Sequence, residues 1–203
     1  MDFTKKYQNK GLSGLSNLGN TCFINSCVQI LSHTYELNEF LNMENFKKKL
    51  KNKYDSALLL EWDNLRQILW SNNCIVSPGK FIKTIQKLAE IKDMPIFTGH
   101  SQNDLPEFLL FLIDCFHNSL SREIKMSISG EVENETDAVA LQCFEMIKNM
   151  YSKEYSEIWN LFYAVHVSEI CNLETGKRIK ITPEPYFMID LPIPQNNKSP
   201  SLL

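Results

Sequence analysis

Apolar residues recur every three or four positions over most of the first 160 residues, which predicts that this part of the chain is mainly helical. The first segment with this spacing predicts a helix from about Cys22 to His33. The preceding Asn20 and Thr21 have side chains suited to a helix N-cap. Two further segments, Glu44 to Trp70 and Pro78 to Ile91, predict helices packed on the surface of a core.

The clearest helical pattern begins at Ser101. Six apolar residues share one of its faces: Leu105, Phe108, Leu109, Leu112, Ile113 and Phe116. Pro106 is compatible with this helix because it falls in the first turn, where no intrahelical N–H bond is lost. A last helical block is predicted from about Asp137 to Leu161.

The pattern changes from helical to β near residue 162. Before that point, residues 120–137 are polar, acidic towards their end and interrupted by Gly130, which predicts an exposed connection. Three short segments rich in β-branched and aromatic residues predict strands: Phe162–Ile170, Arg178–Thr182 and Tyr186–Leu191. The predicted fold class is therefore α+β, with a helical part over residues 1–161 and a β part over residues 162–203.

The composition is that of an ordinary globular protein, with 43% apolar and 22% charged residues among 203. The 21 basic and 24 acidic residues give a net charge of -3, so nucleic acid is not an expected partner. Five lysines between residues 47 and 53 predict a solvated helix face rather than a binding patch.

The apolar segments and the cysteines both indicate a protein of the cytoplasm or nucleus. Met1 to Lys10 is polar, with no apolar stretch behind it that resembles a signal peptide. The most apolar run, Phe108 to Phe116, is far shorter than the ~20 residues of a membrane helix, so no membrane contact is expected. The six cysteines show no paired spacing, which favours reduced thiols.

A thiol at the start of the first predicted helix is the strongest candidate for chemistry. Cys22 follows a stretch in which Gly11, Gly14 and Gly19 allow tight bends. The N–H groups of a helix N-terminus stabilise a thiolate, which is the nucleophilic form of cysteine. Asn17 lies five residues upstream, where its amide could donate to an oxyanion alongside the Cys22 backbone N–H. On spacing alone, a buried and unreactive cysteine is an open alternative.

The residues around this thiol resemble a known family. Gly14 to Gln29, G-L-S-N-L-G-N-T-C-F-I-N-S-C-V-Q, is similar to the cysteine box of the ubiquitin-specific proteases, which are papain-like deubiquitinases. A second box, Gly99 to Leu109, resembles the family's G-x-x-Q-Q-D-A-x-E-F-L helix start, with Asn103 and Leu105 as departures. A weaker third match, from Leu161 to Pro194, resembles the start of the family's fingers.

The resemblance implies that residues 1–203 form a single, partial papain-like catalytic domain: the helical thumb and the start of the β-fingers. It implies that Cys22 is the nucleophile and that Asn17 helps to build the oxyanion hole. The implied reaction is hydrolysis of the isopeptide or peptide bond after the C-terminal glycine of ubiquitin, without a cofactor.

The resemblance also implies roles in binding and support. Asp104 and Glu107 match acidic positions that face the extended, basic tail of ubiquitin, and as acids at a helix start they would also complement the helix dipole. Ubiquitin or ubiquitinated proteins are therefore the implied partners. Gln29 falls on the cysteine helix at the family's glutamine position, where a structural role is expected.

None of the four histidines is identified as a general base for the thiol. His33 lies about 16 Å along the cysteine's own helix. His117 is expected to be a half-buried surface histidine. Gly99-His100 superficially resembles the family's histidine box, but it lies inside the second box, so His100 is not interpreted as the base. His166 falls in a predicted strand that is remote from the catalytic cleft in the family.

Two parts of the family's pattern have no match in this sequence. The family's histidine box follows the strand that ends at Pro194, so the chain is expected to be a fragment of a longer deubiquitinase. The alternative is a catalytically inactive, ubiquitin-binding relative. Where many members have a Cys-x-x-Cys pair, Cys171 stands alone, so no bound zinc is predicted.

Overall fold

The computed structural model describes residues 3–43, 45–51 and 54–191. They form two compact units, which we call the helical unit and the hairpin unit. The helical unit comprises the chain up to Lys125 together with Tyr151–Leu161, and the hairpin unit comprises Met126–Met150 and the chain from Phe162 onward. The elements are α1 (Phe3–Tyr7), β1 (Gly14–Leu15), α2 (Cys22–Ser32), α3 (Tyr35–Asn42), α4 (Phe46–Lys49), α5 (Tyr54–Ser71), β2 (Ile75–Val76), α6 (Gly79–Ile91), a 3₁₀ turn (Pro95–Phe97), α7 (Leu105–Leu120), α8 (Glu135–Lys153), α9 (Glu157–Phe162), β3 (Ala164–Cys171) and β4 (Arg178–Tyr186).

The core of the helical unit is formed by α2, α5, α6 and α7. Trp62 of α5 is fully buried, and its ring centroid lies 5.9 Å from Phe81 of α6 and 6.1 Å from Phe116 of α7. Phe23 of α2 meets Phe108 of α7 edge-on at 5.0 Å. Because α2 and α7 carry the two sequence boxes, this aromatic core fixes the boxes relative to one another.

The helical pattern locates α2, α6 and α7 within a few residues of their predicted bounds. It is wrong in joining Glu44 to Trp70, because two helices, α4 and α5, occupy this stretch. The first of them, α4, ends where Leu50 adopts an extended backbone with a ψ of 133°. The Lys51 N–H then donates to the carbonyl of Ser119 at 3.0 Å. Residues 44, 52 and 53 of the predicted helix lie outside the described residues.

The lysines of α4 are exposed, as the charge pattern predicts, but two of them also pair with acids. Lys49 Nζ lies 2.6 Å from a carboxylate oxygen of Glu157, and Lys47 Nζ lies 3.7 Å from Asp63. Both acids belong to the helical unit, so these two lysines hold α4 to its neighbours. Lys53 of this cluster lies outside the described residues.

A two-residue parallel sheet in the helical unit has no counterpart among the predicted elements. Gly14 of β1 pairs with Ile75 of β2, and Leu15 pairs with Val76. The Gly14 N–H donates to the Cys74 carbonyl at 2.9 Å, and the Ser16 N–H donates to the Val76 carbonyl at 3.0 Å. These bonds direct the chain from β1 into the turn before α2.

The exposed connection expected over residues 120–137 runs without a named helix or strand from Ser121 to Asn134. It leaves the helical unit beside the point where the chain returns. Arg122 and Tyr155 exchange two backbone hydrogen bonds, at 2.9 and 2.8 Å. The Arg122 guanidinium also donates twice to the Glu157 carboxylate, at 2.8 and 2.9 Å. We call the contacts of Arg122 with Tyr155 and Glu157 the clasp. The clasp joins the two points at which the chain leaves and re-enters the helical unit.

The hairpin unit contains the antiparallel pair β3–β4, in which Ala164 pairs with Tyr186 and His166 with Glu184. A third predicted strand, Tyr186–Leu191, is wrong: β4 ends at Tyr186, and residues 187–191 are not in a strand. The sequence misled here because Pro183 and Pro185 look like the end of a strand. Proline is tolerated in a hairpin of two strands, since each strand has an unpaired edge.

Within residues 3–43, 45–51 and 54–191, no helix combines the length and the apolar character needed to cross a bilayer.

Candidate active site

Cys22 is exposed and is the first residue of α2. Thr21 occupies the N-cap position, but its side chain does not cap the helix as predicted. Its hydroxyl instead accepts a hydrogen bond from the Leu18 N–H at 3.0 Å and donates to Asn17 Oδ1 at 3.1 Å. Thr21 therefore braces the preceding turn, and its side chain leaves the first N–H groups of α2 uncapped.

The side-chain oxygen of Asn17 is anchored inside this turn. It accepts hydrogen bonds from the backbone N–H groups of Gly19 and Thr21, at 3.0 and 3.3 Å, besides the bond from the Thr21 hydroxyl. A backbone N–H can bond only to the oxygen of a side-chain amide and not to its NH₂ group. The two backbone donors therefore determine the orientation of the Asn17 amide. Its NH₂ group makes no hydrogen bond to any described residue, and Asn17 is exposed.

The turn requires two left-handed residues in succession. Gly19 has a φ of +100° and Asn20 a φ of +52°. Glycine adopts such angles freely, and asparagine is among the side chains that tolerate them best. Asn20 Nδ2 then donates to the carbonyl of His100 at 3.0 Å. The turn before Cys22 is thus tied directly to the loop that begins the second box.

Asp104 and Glu107 lie at the start of α7, and both are exposed. Asp104 is the N-cap residue, yet its carboxylate makes no capping hydrogen bond. Neither acid forms an ion pair or a side-chain hydrogen bond with another residue that the structure describes. Both carboxylates are therefore available to a ligand, in addition to any favourable interaction with the helix dipole.

The starts of α2 and α7 lie side by side. Phe23, next to Cys22, packs on Phe108, next to Glu107. Further along α2, Cys27 Sγ lies 3.8 Å from the Leu105 carbonyl. Burial raises the pKa of the Cys27 thiol to about 12, so this neighbour of the exposed thiol stays protonated.

Two amide side chains of α2 hold the strand that leads into the turn. Gln29 Nε2 donates to the Ser13 carbonyl at 2.9 Å, and this bond supports the structural role expected of Gln29. Asn25 Nδ2 donates to the Ser16 carbonyl at 3.2 Å. The sequence did not single out Asn25, because α2 contains several polar residues and spacing alone does not distinguish this one.

Two of the four histidines have a ring nitrogen close to another residue of the helical unit. The His33 ring lies 2.9 Å from the Gln29 carbonyl at the end of α2. His117 is buried, with 2% exposure, which corrects the expected half-buried position. The reason is α9 and the residue before it: the Trp159 ring stacks on the imidazole at 3.7 Å, and Ser156 Oγ lies 2.8 Å from its Nδ1.

The other two histidines differ in what surrounds them. His166 pairs with Glu184 across the hairpin at 3.2 Å. His100 is exposed, and its ring makes no hydrogen bond to a described residue, although its carbonyl binds Asn20. The general base for Cys22 therefore stays unassigned.

Cys171 ends β3 and is exposed. In the part of the chain that the structure describes, no three side chains of His, Cys, Asp or Glu converge as a metal site would require. That zinc is not bound stays a prediction.

The sequence profile of a known family, "Ubiquitin carboxyl-terminal hydrolase", matches residues 13–193, which include both boxes and the hairpin. The chain belongs to the ubiquitin carboxyl-terminal hydrolase family. The resemblance seen in the sequence is thereby confirmed.

Individual members of this family align over most of the chain. It is 41% identical to Ubiquitin carboxyl-terminal hydrolase 2 of Rattus norvegicus over 188 residues, which are 91% of this chain and 29% of the relative. The protein of the same name from Bos taurus is 33% identical over 188 residues, 91% of this chain and 30% of the relative. The chain thus spans about 30% of the length of these curated relatives.

A solved structure shows the same fold. The SAGA Ubp8/Sgf11/Sus1/Sgf73 DUB module bound to ubiquitin aldehyde matches with a TM-score of 0.56 and 21% identity, over 89% of this chain and 35% of that one. The likeness confirms the α+β, papain-like fold class predicted from the sequence.

Proposed function

We propose that the chain acts as a cysteine-type deubiquitinase, which cleaves the isopeptide or peptide bond after the C-terminal glycine of ubiquitin. The single observation that carries this proposal is the turn before α2. Its bonds anchor the Asn17 oxygen and leave the Asn17 NH₂ group unpaired, five residues before an exposed thiol at a helix start.

In this mechanism the Cys22 thiolate attacks the carbonyl carbon of the terminal glycine. The negative charge that develops on the carbonyl oxygen is stabilised by the Cys22 backbone N–H and by the Asn17 NH₂ group. Collapse of this intermediate breaks the carbon–nitrogen bond, and the leaving amine takes the proton that a general base first removed from the Cys22 thiol. Water then hydrolyses the Cys22 thioester, releasing ubiquitin with a free carboxylate and restoring the thiol.

Asp104 and Glu107 bind the tail that presents this bond. They are exposed, carry no ion-pair partner among the described residues, and begin the helix that packs beside the cysteine helix. Two carboxylates three residues apart on a helix start suit an extended basic segment. Ubiquitin and ubiquitinated proteins are accordingly the proposed partners.

The proposed domain organisation assigns the two units to one catalytic domain. In this proposal residues 1–161 belong to the helical thumb and residues 162–203 to the start of the fingers, although residues 126–150 group with the hairpin unit. All six cysteines are unpaired, which is typical of proteins in the reducing cytoplasm or nucleus, and we place the protein there. The acidic net charge of -3 supports partners other than nucleic acid.

The test is reaction with ubiquitin that carries an electrophile at its C-terminus, followed by a fluorogenic ubiquitin substrate. We expect slow covalent labelling of the chain, since a thiolate can attack an electrophile without a general base. Labelling should be lost in Cys22→Ala and weakened several-fold in Asp104→Asn and Glu107→Gln. Hydrolysis of the fluorogenic substrate should be nearly absent, because no described residue is assigned as the general base and this chemistry loses most of its rate without one.

Glu36→Gln is the matched control for the acids. Glu36 is an exposed acid in the first turn of α3, so it shares the favourable dipole interaction of Glu107 but not its position beside α2. If Glu36→Gln and Glu107→Gln weaken labelling equally, Asp104 and Glu107 interact only with the helix dipole and do not bind the ubiquitin tail. Rapid multiple turnover that is lost in His100→Ala would identify His100 as the base. Binding of ubiquitin without reaction at Cys22 would favour an inactive ubiquitin-binding relative.

A further inference from the structure

The N-terminal segment, residues 5–12, precedes the part of the chain that matches the family, which begins at residue 13. It nevertheless packs closely on the helical unit. The Tyr7 ring stacks on Tyr35 at 4.4 Å, with an interplanar angle of 9°, and meets Trp70 edge-on at 4.9 Å. Lys6 Nζ lies 2.6 Å from Glu39 Oε2, and the Tyr7 hydroxyl donates to the same carboxylate.

The charges at this contact agree with its geometry. Burial, and then the neighbouring Glu39 carboxylate, raise the pKa of the Tyr7 phenol. Hydrogen bonds from Lys6 and from Tyr7 lower the pKa of Glu39. Each group is thus held in the protonation state in which Tyr7 donates and Glu39 accepts.

Gly11 continues the segment over the face of Trp70. Its φ is +71°, and a Cβ at this position would lie 2.6 Å from two ring atoms of Trp70. Trp70 cannot easily move aside, because its Nε1 donates to the Ser32 carbonyl and hydroxyl at 3.1 and 3.0 Å. Only glycine fits this position without displacing the backbone.

Five residues lie between Gly11 and Asn17, and hydrogen bonds to residues on both sides hold this stretch in place. Ser13 Oγ donates towards the carbonyls of Leu69 and Asn72, each at 2.9 Å, and the Ser13 carbonyl accepts from Gln29. Beyond Ser13 the backbone enters β1, whose pairing with β2 leads into the turn. A displacement at Gly11 is therefore passed along a hydrogen-bonded backbone rather than absorbed by a loose loop.

We propose that the N-terminal segment, through Tyr7 and Gly11, positions the Asn17 turn and so the donor that faces the reacting carbonyl. Tyr7 and Gly11 are positioning residues, since they act through the backbone and not on the substrate. The role in catalysis rests on the proposed function, whereas the effect on the turn can be measured without any substrate.

The experiment compares Gly11→Ala with Gly176→Ala. Gly176 has a similar φ of +66° in the hairpin unit, but no atom lies within 4 Å of its would-be Cβ. The two variants share the backbone strain, and only Gly11→Ala adds the clash with Trp70. The first readout is hydrogen exchange at the Gly19 and Thr21 amides, the two backbone donors to Asn17. The second is the rate of Cys22 labelling by ubiquitin with a C-terminal electrophile, as a function of probe concentration.

Gly11→Ala should speed exchange at the Gly19 and Thr21 amides and lower the maximal labelling rate, each by about tenfold. The probe concentration for half-maximal rate should be unchanged, since Asp104 and Glu107 are untouched. Gly176→Ala should match the wild type in both readouts. If Gly11→Ala does not fold, Tyr7→Ala replaces it, and Tyr7→Phe, which keeps the stacked ring, should stay within about twofold of the wild type.

Three outcomes decide between the possibilities. Unchanged exchange at Gly19 and Thr21 in a folded Gly11→Ala protein overturns the proposal. A uniform rise of exchange throughout α2, α5 and α7 also overturns it, because it shows only a loss of global stability. If the wild type fails to react with the ubiquitin probe, the proposed function fails, while the exchange data still decide whether the segment positions the turn.

Discussion

The two units of this protein differ in how they bury their residues. Every buried side chain among the described residues belongs to the helical unit, including Trp62, Phe81, Phe108 and Phe116. Over residues 126–150 and 162–191, no described residue reaches the same burial, and Leu173 in the hairpin turn is fully exposed. A two-stranded hairpin without a buried face is only marginally stable alone. Four helices packed around a shared core are more stable.

The difference shows why the candidate site lies where it does. Catalytic geometry has to be held to fractions of an ångström, and only a densely packed region resists such displacements. Cys22, Asn17 and the two acids of α7 all lie in the helical unit, where the contact between Phe23 and Phe108 holds the starts of α2 and α7 together. Changes in the helical unit should therefore have large effects, and matched changes in the hairpin unit small ones.

The largest contrast is expected from removal of an aromatic side chain. Phe108→Ala leaves a cavity between α2 and α7 and should lower the free energy of unfolding by about 3–5 kcal/mol. Ile179→Ala in the hairpin, where the side chain is 67% exposed, should change it by less than about 0.5 kcal/mol. Urea denaturation followed by tryptophan fluorescence measures both, and comparable losses would contradict the proposed contrast.

Breaking an ion pair should also cost more stability in the helical unit than in the hairpin unit. Asp63 and Arg66 are both buried and 2.6 Å apart, so Asp63→Asn leaves a buried guanidinium without its counter-charge. The expected loss of unfolding free energy is about 3 kcal/mol. In the hairpin, Glu169 pairs with Arg178 at 3.1 Å with both side chains more than a third exposed. Glu169→Gln should cost less than about 1 kcal/mol, and a larger loss than for Asp63→Asn would reverse the comparison.

The clasp that closes the helical unit should give it an acid-sensitive stability. Burial alone would raise the pKa of Glu157, but hydrogen bonds from Arg122 and Lys49 outweigh it and lower the pKa from 4.5 to about 2. A depressed folded-state pKa stabilises the protein above pH 4.5, and this contribution is lost as the pH falls towards 2. Because water screens the partly exposed cluster, the expected loss is about 1–2 kcal/mol.

Thermal unfolding between pH 6 and pH 3 measures this contribution. Glu157→Gln should remove part of the pH dependence and lower the stability at pH 6. Glu184→Gln in the hairpin, where the carboxylate lies beside His166, should leave the curve unchanged. Identical pH profiles for the wild type and Glu157→Gln would refute the role given to the clasp.

The cysteines should react at different rates, according to their burial and their position in the fold. At neutral pH an alkylating reagent should modify Cys22 at least about tenfold faster than Cys115, whose pKa is raised by burial. Cys171 in the hairpin is exposed too, but it lies at the end of a strand and not at a helix start. Peptide mass mapping after short reaction times gives the rates. Equal rates at Cys22 and Cys115 in folded protein would remove the argument for an activated thiol.

The sequence predicted the features of the fold that follow from the local spacing of apolar residues. The apolar face of α7, the start of α2 at Cys22 and the change to β near residue 162 all follow from side-chain spacing. A helix of sixteen residues repeats its pattern often enough to be recognised, whereas the two-residue strands β1 and β2 do not.

What the sequence missed depends on contacts between distant residues. Asn20 looked like an N-cap, but its amide binds the carbonyl of His100, 80 residues away. Gly11 and Trp70 fit together only in three dimensions. His117 was expected to be half-buried because the helical pattern could not show that Trp159, from a later helix, covers it. Local spacing carries no information about such partners.

Cys22, in its turn at the start of α2, is proposed as the nucleophile that meets the C-terminus of ubiquitin. The most direct measurement is to react the chain with ubiquitin bearing a C-terminal electrophile and to map the adduct by mass spectrometry. We expect an adduct on Cys22 alone, with the exposed Cys74 and Cys171 unmodified. An adduct on Cys74 or Cys171, or labelling that persists in Cys22→Ala, would contradict it.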